Sequence, residues 1–178
     1  YVTPGLAVED FSFSSNKRQS LRQSWQVGDD PVILSAAMFR SDVKTEGLAL
    51  LIRACGRLFR MGRRFCLVIA GDGKMRKHLT RLAAEQIPGK VRFIGKVPRE
   101  RMAGFYSAGD MFVFPGIRES LGMVFLEAQS CGMPVIAFSN EGTPEVIQHL
   151  KTGILVPAFD FDSFVSGIDI LLERPDIR

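Results

Sequence analysis

The residues best equipped for chemistry are two carboxylates eight positions apart, Glu119 and Glu127. Glu119 lies just before Gly122, which opens a predicted helix. Glu127 lies inside that helix, among Phe125, Leu126 and Ala128. A carboxylate in so apolar a run is costly to bury unless it has partners. Glu127 could simply point to solvent, and three further readings are open. The pair could act as general acid and base across a glycosidic bond, although such pairs sit more often on barrel strand ends or cleft loops. It could accept hydrogen bonds from the vicinal hydroxyls of a ribose or hexose. Or Glu127 could be held in a buried ion pair with one of the many arginines.

The elements around the pair decide what it can face. Five short apolar runs are predicted strands: 32–36, 65–70, 91–94, 111–114 and 134–138. Residues 154–156 are a sixth. Leu48, Leu51, Ile52, Cys55, Leu58 and Phe59 recur at helical spacing, so a helix joins the first two strands and ends at Gly62. Further helices are predicted at 74–85, 99–107, 122–131, 143–150 and 161–173. Continuously apolar strands separated by helices predict an α/β fold, a parallel sheet covered on both faces. With right-handed crossovers, six strands fit the doubly wound order 3-2-1-4-5-6. Residues 1–30, with Thr3-Pro4-Gly5, a polar tract and the breaker Gly28-Asp29-Asp30-Pro31, read as an approach segment. Residues 31–178 read as one domain.

Composition narrows the function classes. The 178 residues are 46% hydrophobic and 24% charged, as in ordinary globular domains. No apolar run reaches the length of a membrane span, and no leader pattern is present. An opening Tyr1 in place of Met is what a piece of a longer protein would show. Cys55, Cys66 and Cys131 all fall in apolar runs, which predicts reduced core thiols and a cytoplasmic setting. His78 and His149 lie far apart, so no protein-bound metal is expected. Between Leu51 and Arg101 there are 14 Lys/Arg against 3 Asp/Glu; elsewhere there are 9 against 16. Most of these cations read as a solvated face; a basic region of this kind could also attract phosphates or rest on an anionic membrane face. No aromatics interleave with the cations, so nucleic acid is not expected.

Ligands of doubly wound sheets bind at the carboxyl ends of the strands, and there the polar residues collect. Arg40 and Lys44 follow the first strand and suit an anionic group. Gly71-Asp72-Gly73 follows the second; it is a tight turn that also leaves room for a flat base. Gly95-Lys96-Val97 follows the third. Gly116, Arg118, Glu119 and Gly122 follow the fourth, and Asn140-Glu141-Gly142-Thr143 the fifth. A glycine at a helix start offers free backbone N–H groups and the positive end of the dipole to a phosphate. The dinucleotide glycine fingerprint is absent: position 76 is Arg, and 38–46 hold no glycine.

The run Glu119-Ser-Leu-Gly122-Met-Val-Phe-Leu-Glu127-Ala-Gln-Ser-Cys-Gly132-Met-Pro134-Val135 resembles the E-x7-E segment of family 4 retaining glycosyltransferases, which have the GT-B fold. Val2-Thr3-Pro4-Gly5, Ile69 to Gly73, Val91 to Gly95, Ala108 to Pro115, Gly142 to Ile147 and Thr152 to Pro157 resemble further blocks of that family, in order. The resemblance implies a Rossmann-like domain, one half of a GT-B enzyme, that binds a UDP- or GDP-linked sugar donor. It implies Arg40 and Lys44 on the donor diphosphate, the backbone of Gly122 and Met123 beside it, and Glu127 on the ribose. Lys96 and Val97, with Gly71 and Gly73, would line the base, and Glu119 would stand by the donor sugar as the catalytic carboxylate. It implies no cofactor beyond the nucleotide-sugar substrate. The acceptor site would lie on an N-terminal domain of the full-length protein, so this segment alone would transfer nothing. A role in bacterial envelope polysaccharide or lipopolysaccharide assembly fits, on the cytoplasmic side of the membrane and in peripheral contact with it. A GT-B-like nucleotide-sugar epimerase and a non-catalytic binding module are the alternatives. Three departures stand out. The basic pair is spaced by four rather than five and is followed by Thr45-Glu46-Gly47. Gly116 replaces a common serine, and Leu121 a common aromatic residue.

Overall fold

The computed structural model describes residues 10–120 and 122–177. The predicted linker Val2-Thr3-Pro4-Gly5 and Leu121 lie outside them. Six parallel strands form one sheet in the order β3-β2-β1-β4-β5-β6. They are β1 (Val32–Ala36), β2 (Cys66–Ala70), β3 (Val91–Gly95), β4 (Met111–Val113), β5 (Val135–Ser139) and β6 (Gly153–Pro157). The doubly wound order expected from the apolar runs is the order found. The central strands explain it: β2 and β4 are buried at every residue, which only a sheet covered on both sides allows.

The helices are α1 (Ser15–Trp25), α2 (Val43–Arg60), α3 (Arg76–Gln86), α4 (Arg99–Ser107), α5 (Met123–Ser130), α6 (Thr143–Val146) and α7 (Phe161–Glu173). One layer is α3, α2 and α7; the other is α1, α4 and α5. α2 shows how local sequence sets its place. The Asp42 carboxylate accepts the Lys44 N–H at 2.9 Å and caps the helix start. The inner face buries Leu48, Leu51, Ile52, Cys55 and Leu58. At Gly47 a Cβ would lie 3.2 Å from the Phe114 ring, so this glycine lets the N-terminal part of α2 approach the end of β4 closely.

Two elements differ from expectation. The polar approach segment contains α1, whose N-cap is Ser14. Phe11, Trp25 and Val27, which flank or end it, are buried in the core. Docking runs through arginine rather than an apolar stripe. Arg18 and Arg22 both bind the Asp110 carboxylate, which also accepts the Val32 N–H at 2.7 Å. The helix expected over 143–150 stops at Val146. There Ile147 turns extended and buried, and Leu150 takes a left-handed φ of 61°. His149 then bridges to Gly153 and leads the chain into β6.

Asp110 thus pins α1 to the starts of β1 and β4. Burial pushes its carboxyl up, but the Val32 N–H, Arg18 and Arg22 outweigh burial and hold it below the usual value of 3.8. A depressed carboxyl stabilises the fold at pH above its unfolded-state value and loses that contribution as pH falls through the folded one. Asp110→Asn is therefore expected to cost about 2–3 kcal/mol near neutral pH. The gap to the parent chain should narrow below about pH 4. Urea unfolding at several pH values reads both effects; a gap unchanged in acid would contradict them.

All three cysteines are free and buried. Burial raises the thiol of Cys55 far above its ordinary value, and burial together with the Glu127 charge raises Cys131 to about 11. Neither is a ready nucleophile. Among the described residues no helix is long and apolar enough to cross a membrane.

Candidate functional site

An open cleft of about 540 Å³ lies at the carboxyl ends of β1, β2 and β4. Of the ten candidate residues, seven line it: Arg40, Lys44, Gly71, Lys96, Val97, Glu119 and Met123. They come from four strand-to-helix connections and the first turns of two helices, so the parallel sheet is what brings them together.

Lys44 is the second residue of α2, a poor place for a cation because the helix dipole is positive there. Glu119 answers it: the Lys44 ammonium donates to Oε2 of Glu119, 75 positions along the chain. Lys44 Nζ also stands 5.5 Å from the centroid of the Phe114 ring. The Glu119 side chain is 16% exposed and that of Lys44 31%, so the pair faces the cleft without being free in solvent. The loop that presents Glu119 is tied by two backbone bonds. Its N–H donates to Gly116 O at 3.1 Å, and its carbonyl accepts the Gly142 N–H at 3.2 Å.

The other charges divide by what they already hold. Asp42 caps α2, and Asp72 accepts the N–H of Gly73 at 2.8 Å. Arg40 and Lys96 are exposed and, among the described residues, have no ion-pair partner. Opposite them α5 begins at Gly122, with a left-handed φ of 60° and no side-chain cap. The N–H groups of Met123 and Val124 precede its first intrahelical bond, which runs from the Phe125 N–H to the Gly122 carbonyl at 2.9 Å. The cleft therefore offers cations and a helix N-terminus to an anion.

Three candidates lie elsewhere. Gly122 sits behind Met123; a Cβ there would lie 2.9 Å from Val146 Cγ2. Gly73 lines an adjoining groove with Arg40, Asp72 and Lys96. Glu127 is buried one turn further along α5. The Tyr106 hydroxyl donates to its Oε2 at 2.8 Å, and the Arg99 guanidinium to its Oε1 at 3.2 Å. The ion pair with an arginine left open by sequence is thus present, with Arg99 as the partner. Glu127 raises the Tyr106 hydroxyl well above its ordinary value, after burial as the larger cause.

The glycines after β2 are needed by the chain itself. A Cβ built at Gly71 would lie 1.9 Å from the Ala37 carbonyl oxygen, and one at Gly73 would lie 2.4 Å from that of Phe39. The space they leave is filled by the β1–α2 loop. Met38, Met102, Phe114 and Val124 also line the cleft and were not singled out from sequence. Tyr106 was missed as well, although a Tyr on a buried helix face must find an acceptor for its hydroxyl. A second cavity, about 780 Å³, runs along β6 and α7 and holds none of the candidates. Among the described residues no three His, Cys, Asp or Glu side chains gather as metal ligands.

Known proteins give this geometry a context. The phosphatidylinositol monomannoside mannosyltransferase of Mycolicibacterium smegmatis, named as GDP-mannose-dependent, is 31% identical, over 98% of this chain and 47% of its own length. The alpha-D-kanosaminyltransferase of Streptomyces kanamyceticus is also 31% identical, over 97% of this chain and 45% of its own. The chain thus spans about half the length of the curated relatives it matches. Among solved structures, sucrose-phosphate synthase from Thermosynechococcus elongatus superposes with a TM-score of 0.86 at 27% identity, over 99% of this chain and 44% of that one. Anabaena HepE in complex with UDP-glucose superposes with a TM-score of 0.82 at 21% identity, over 97% and 47%, a likeness of fold. The sequence pattern of one family matches residues 17–178, nearly the whole chain. The chain belongs to the glycosyl transferases group 1 family.

Proposed function

We propose that this chain is the donor-binding half of a retaining, family 4 GT-B glycosyltransferase. The observation that carries the reading is the convergence of Arg40, Lys44, Glu119 and the start of α5 on one cleft at the strand ends. The donor is a UDP- or GDP-linked sugar. Its diphosphate lies between Arg40, Lys44 and the first-turn amides at Met123, where two cations and a helix dipole stabilise the charge that develops on the leaving group. Positive charge from these groups does what a metal would otherwise do, so the reading includes no protein-bound metal or other cofactor. Lys96 and Val97 flank the base, with the backbone of Gly71. Glu127 accepts from the ribose hydroxyls, and Glu119 stands by the donor sugar. Glu119 now holds Lys44; the diphosphate takes over that cation and leaves the carboxylate beside the sugar. The M. smegmatis relative's dependence on GDP-mannose and the UDP-glucose bound by HepE support a nucleotide-sugar donor.

The acceptor is a glycan or a lipid-linked glycan, bound by an N-terminal domain, in envelope polysaccharide or lipopolysaccharide assembly. The protein works in the cytoplasm, with its basic 51–101 region toward the inner membrane. The half-length match to the curated relatives supports a second domain. A thermal-shift screen with UDP, GDP, ADP and their sugars tests the donor. One nucleoside diphosphate should stabilise the chain, by about 2.7 kcal/mol at a hundredfold excess over its dissociation constant. No stabilisation by any of them would overturn the reading. Acceptor-dependent transfer by the chain alone would overturn the division of labour between two domains.

Glu127→Ala should weaken nucleoside diphosphate binding about tenfold, the worth of one charged hydrogen bond. It also strands the buried Tyr106 hydroxyl, at about 1–3 kcal/mol of stability. Calorimetry and urea unfolding on the same variant separate the two effects. Unchanged affinity would remove Glu127 from the site.

A further inference from the structure

The two oxygens of Glu127 are held in very different ways. Oε2 takes the hydroxyl of Tyr106, which is 1% exposed and fixed by ring contacts at 5.5–6.2 Å with Phe105, Phe112 and Phe11. Oε1 takes Arg99, whose side chain is 64% exposed. An ion pair with so exposed a partner is held weakly. Arg99 is also the first residue of α4, where the helix dipole disfavours a cation. It has a second resting place, since its guanidinium carbon stands 5.4 Å from the centroid of the Phe11 ring. It follows Lys96 and Val97 at the start of α4, and Met102 of the same helix lines the cleft with those two residues.

We propose that Tyr106 and Arg99 are positioning residues for Glu127 with opposite effects: Tyr106 fixes the carboxylate for a ribose diol, and Arg99 occupies Oε1 until the diol displaces it. This rests on the donor-binding reading above and adds to it how the ribose site is kept in order while empty. A carboxylate buried without a ligand would otherwise leave Oε1 unpaired, which is costly. Arg99 satisfies it, and its exposure lets it leave cheaply. The ligand hydroxyls donate to Oε1 in its place, and Arg99 stays over Phe11. Tyr106 does not exchange, because its ring is buried and packed among Phe11, Phe105 and Phe112.

The test compares ribose with deoxyribose. GDP and 2′-deoxy-GDP, and UDP and 2′-deoxy-UDP, are titrated into the parent chain, Arg99→Ala and Tyr106→Phe. The readout is the ratio of the two dissociation constants within each pair, which a general change in stability or phosphate affinity does not move. Arg99→Ala should raise the preference for the ribonucleotide by about two- to fivefold, because the competitor is gone. Tyr106→Phe should lower it by about fivefold, since Oε2 loses the hydroxyl that fixes it. A ratio unchanged in both variants, or lowered in Arg99→Ala, would overturn the exchange and leave the donor-binding reading standing. A parent chain that binds none of the four nucleotides would overturn both. If Tyr106→Phe fails to fold, Arg99→Ala alone decides, because its side chain is on the surface.

Discussion

Lys44→Ala should weaken binding of a nucleoside diphosphate by about 30- to 100-fold, a loss of about 2–3 kcal/mol for a charged hydrogen bond to phosphate. The size follows from the site. Lys44 is half-sheltered, stands over Phe114 and is aimed across the cleft at Glu119. A cation in the first turn of a helix gains nothing from that helix, so its position is explained by what it faces. The truncation also leaves Glu119 with no counter-charge beside the incoming phosphates, so repulsion adds to the lost bond. Glu119→Gln should therefore do the opposite for a nucleoside diphosphate without its sugar, tightening it by a few-fold because Lys44 is released. The double variant should recover part of the loss. Stability should hardly change in Lys44→Ala, because a partly exposed pair contributes at most about 1 kcal/mol. Calorimetric titration of the three variants checks the set. A lower melting temperature with unchanged affinity would make Lys44 a structural ion-pair partner and nothing more.

Gly71→Ala should destabilise the chain by about 3–4 kcal/mol and abolish nucleotide binding with it. Gly71 has φ 137°, and its absent side chain would stand against the Ala37 carbonyl. That carbonyl cannot yield alone. The Ala37 N–H donates to Ala70 O at 3.1 Å, the Phe39 N–H to Asp72 O at 3.0 Å, and the Gly71 N–H to Gly95 O at 2.7 Å. The ends of β1, β2 and β3 are laced together there, and a methyl group must part them. Arg40, Lys96 and Val97 sit on those loops, so the cleft would open with the lacing. A fall of about 10 °C in Tm is expected for a chain of this size. A near-neutral Gly71→Ala, by thermal unfolding, would mean that the loops are far looser than this geometry.

How much of this was legible in the residues depends on the range of the interaction. The sheet was, because Val32 to Ala36 and Cys66 to Ala70 are short apolar runs between helical patterns, and burial on both faces leaves few orders for them. The ligand edge was legible too, because a parallel sheet puts every strand-to-helix loop at one end. α1 was not: its sequence is polar, and it docks through Arg18 and Arg22 onto Asp110, some ninety residues away. No local period records such a contact. The same holds for Glu127. Its neighbours on α5 reveal that it is buried, but Tyr106 and Arg99 come from α4, and only the packing of the two helices shows them as its partners. Gly71 and Gly73 read as a tight turn that also leaves room for a flat base; their missing side chains leave room first for the Ala37 and Phe39 carbonyls. A glycine signals a close approach, and the sequence does not say whose.

The most direct measurement is a crystal structure of the chain grown with the nucleoside diphosphate that stabilises it best. The diphosphate should lie between Arg40, Lys44 and the first-turn amides of α5, with the ribose against Glu127. A nucleotide seated instead along β6 and α7, in the 780 Å³ cavity, would contradict the account.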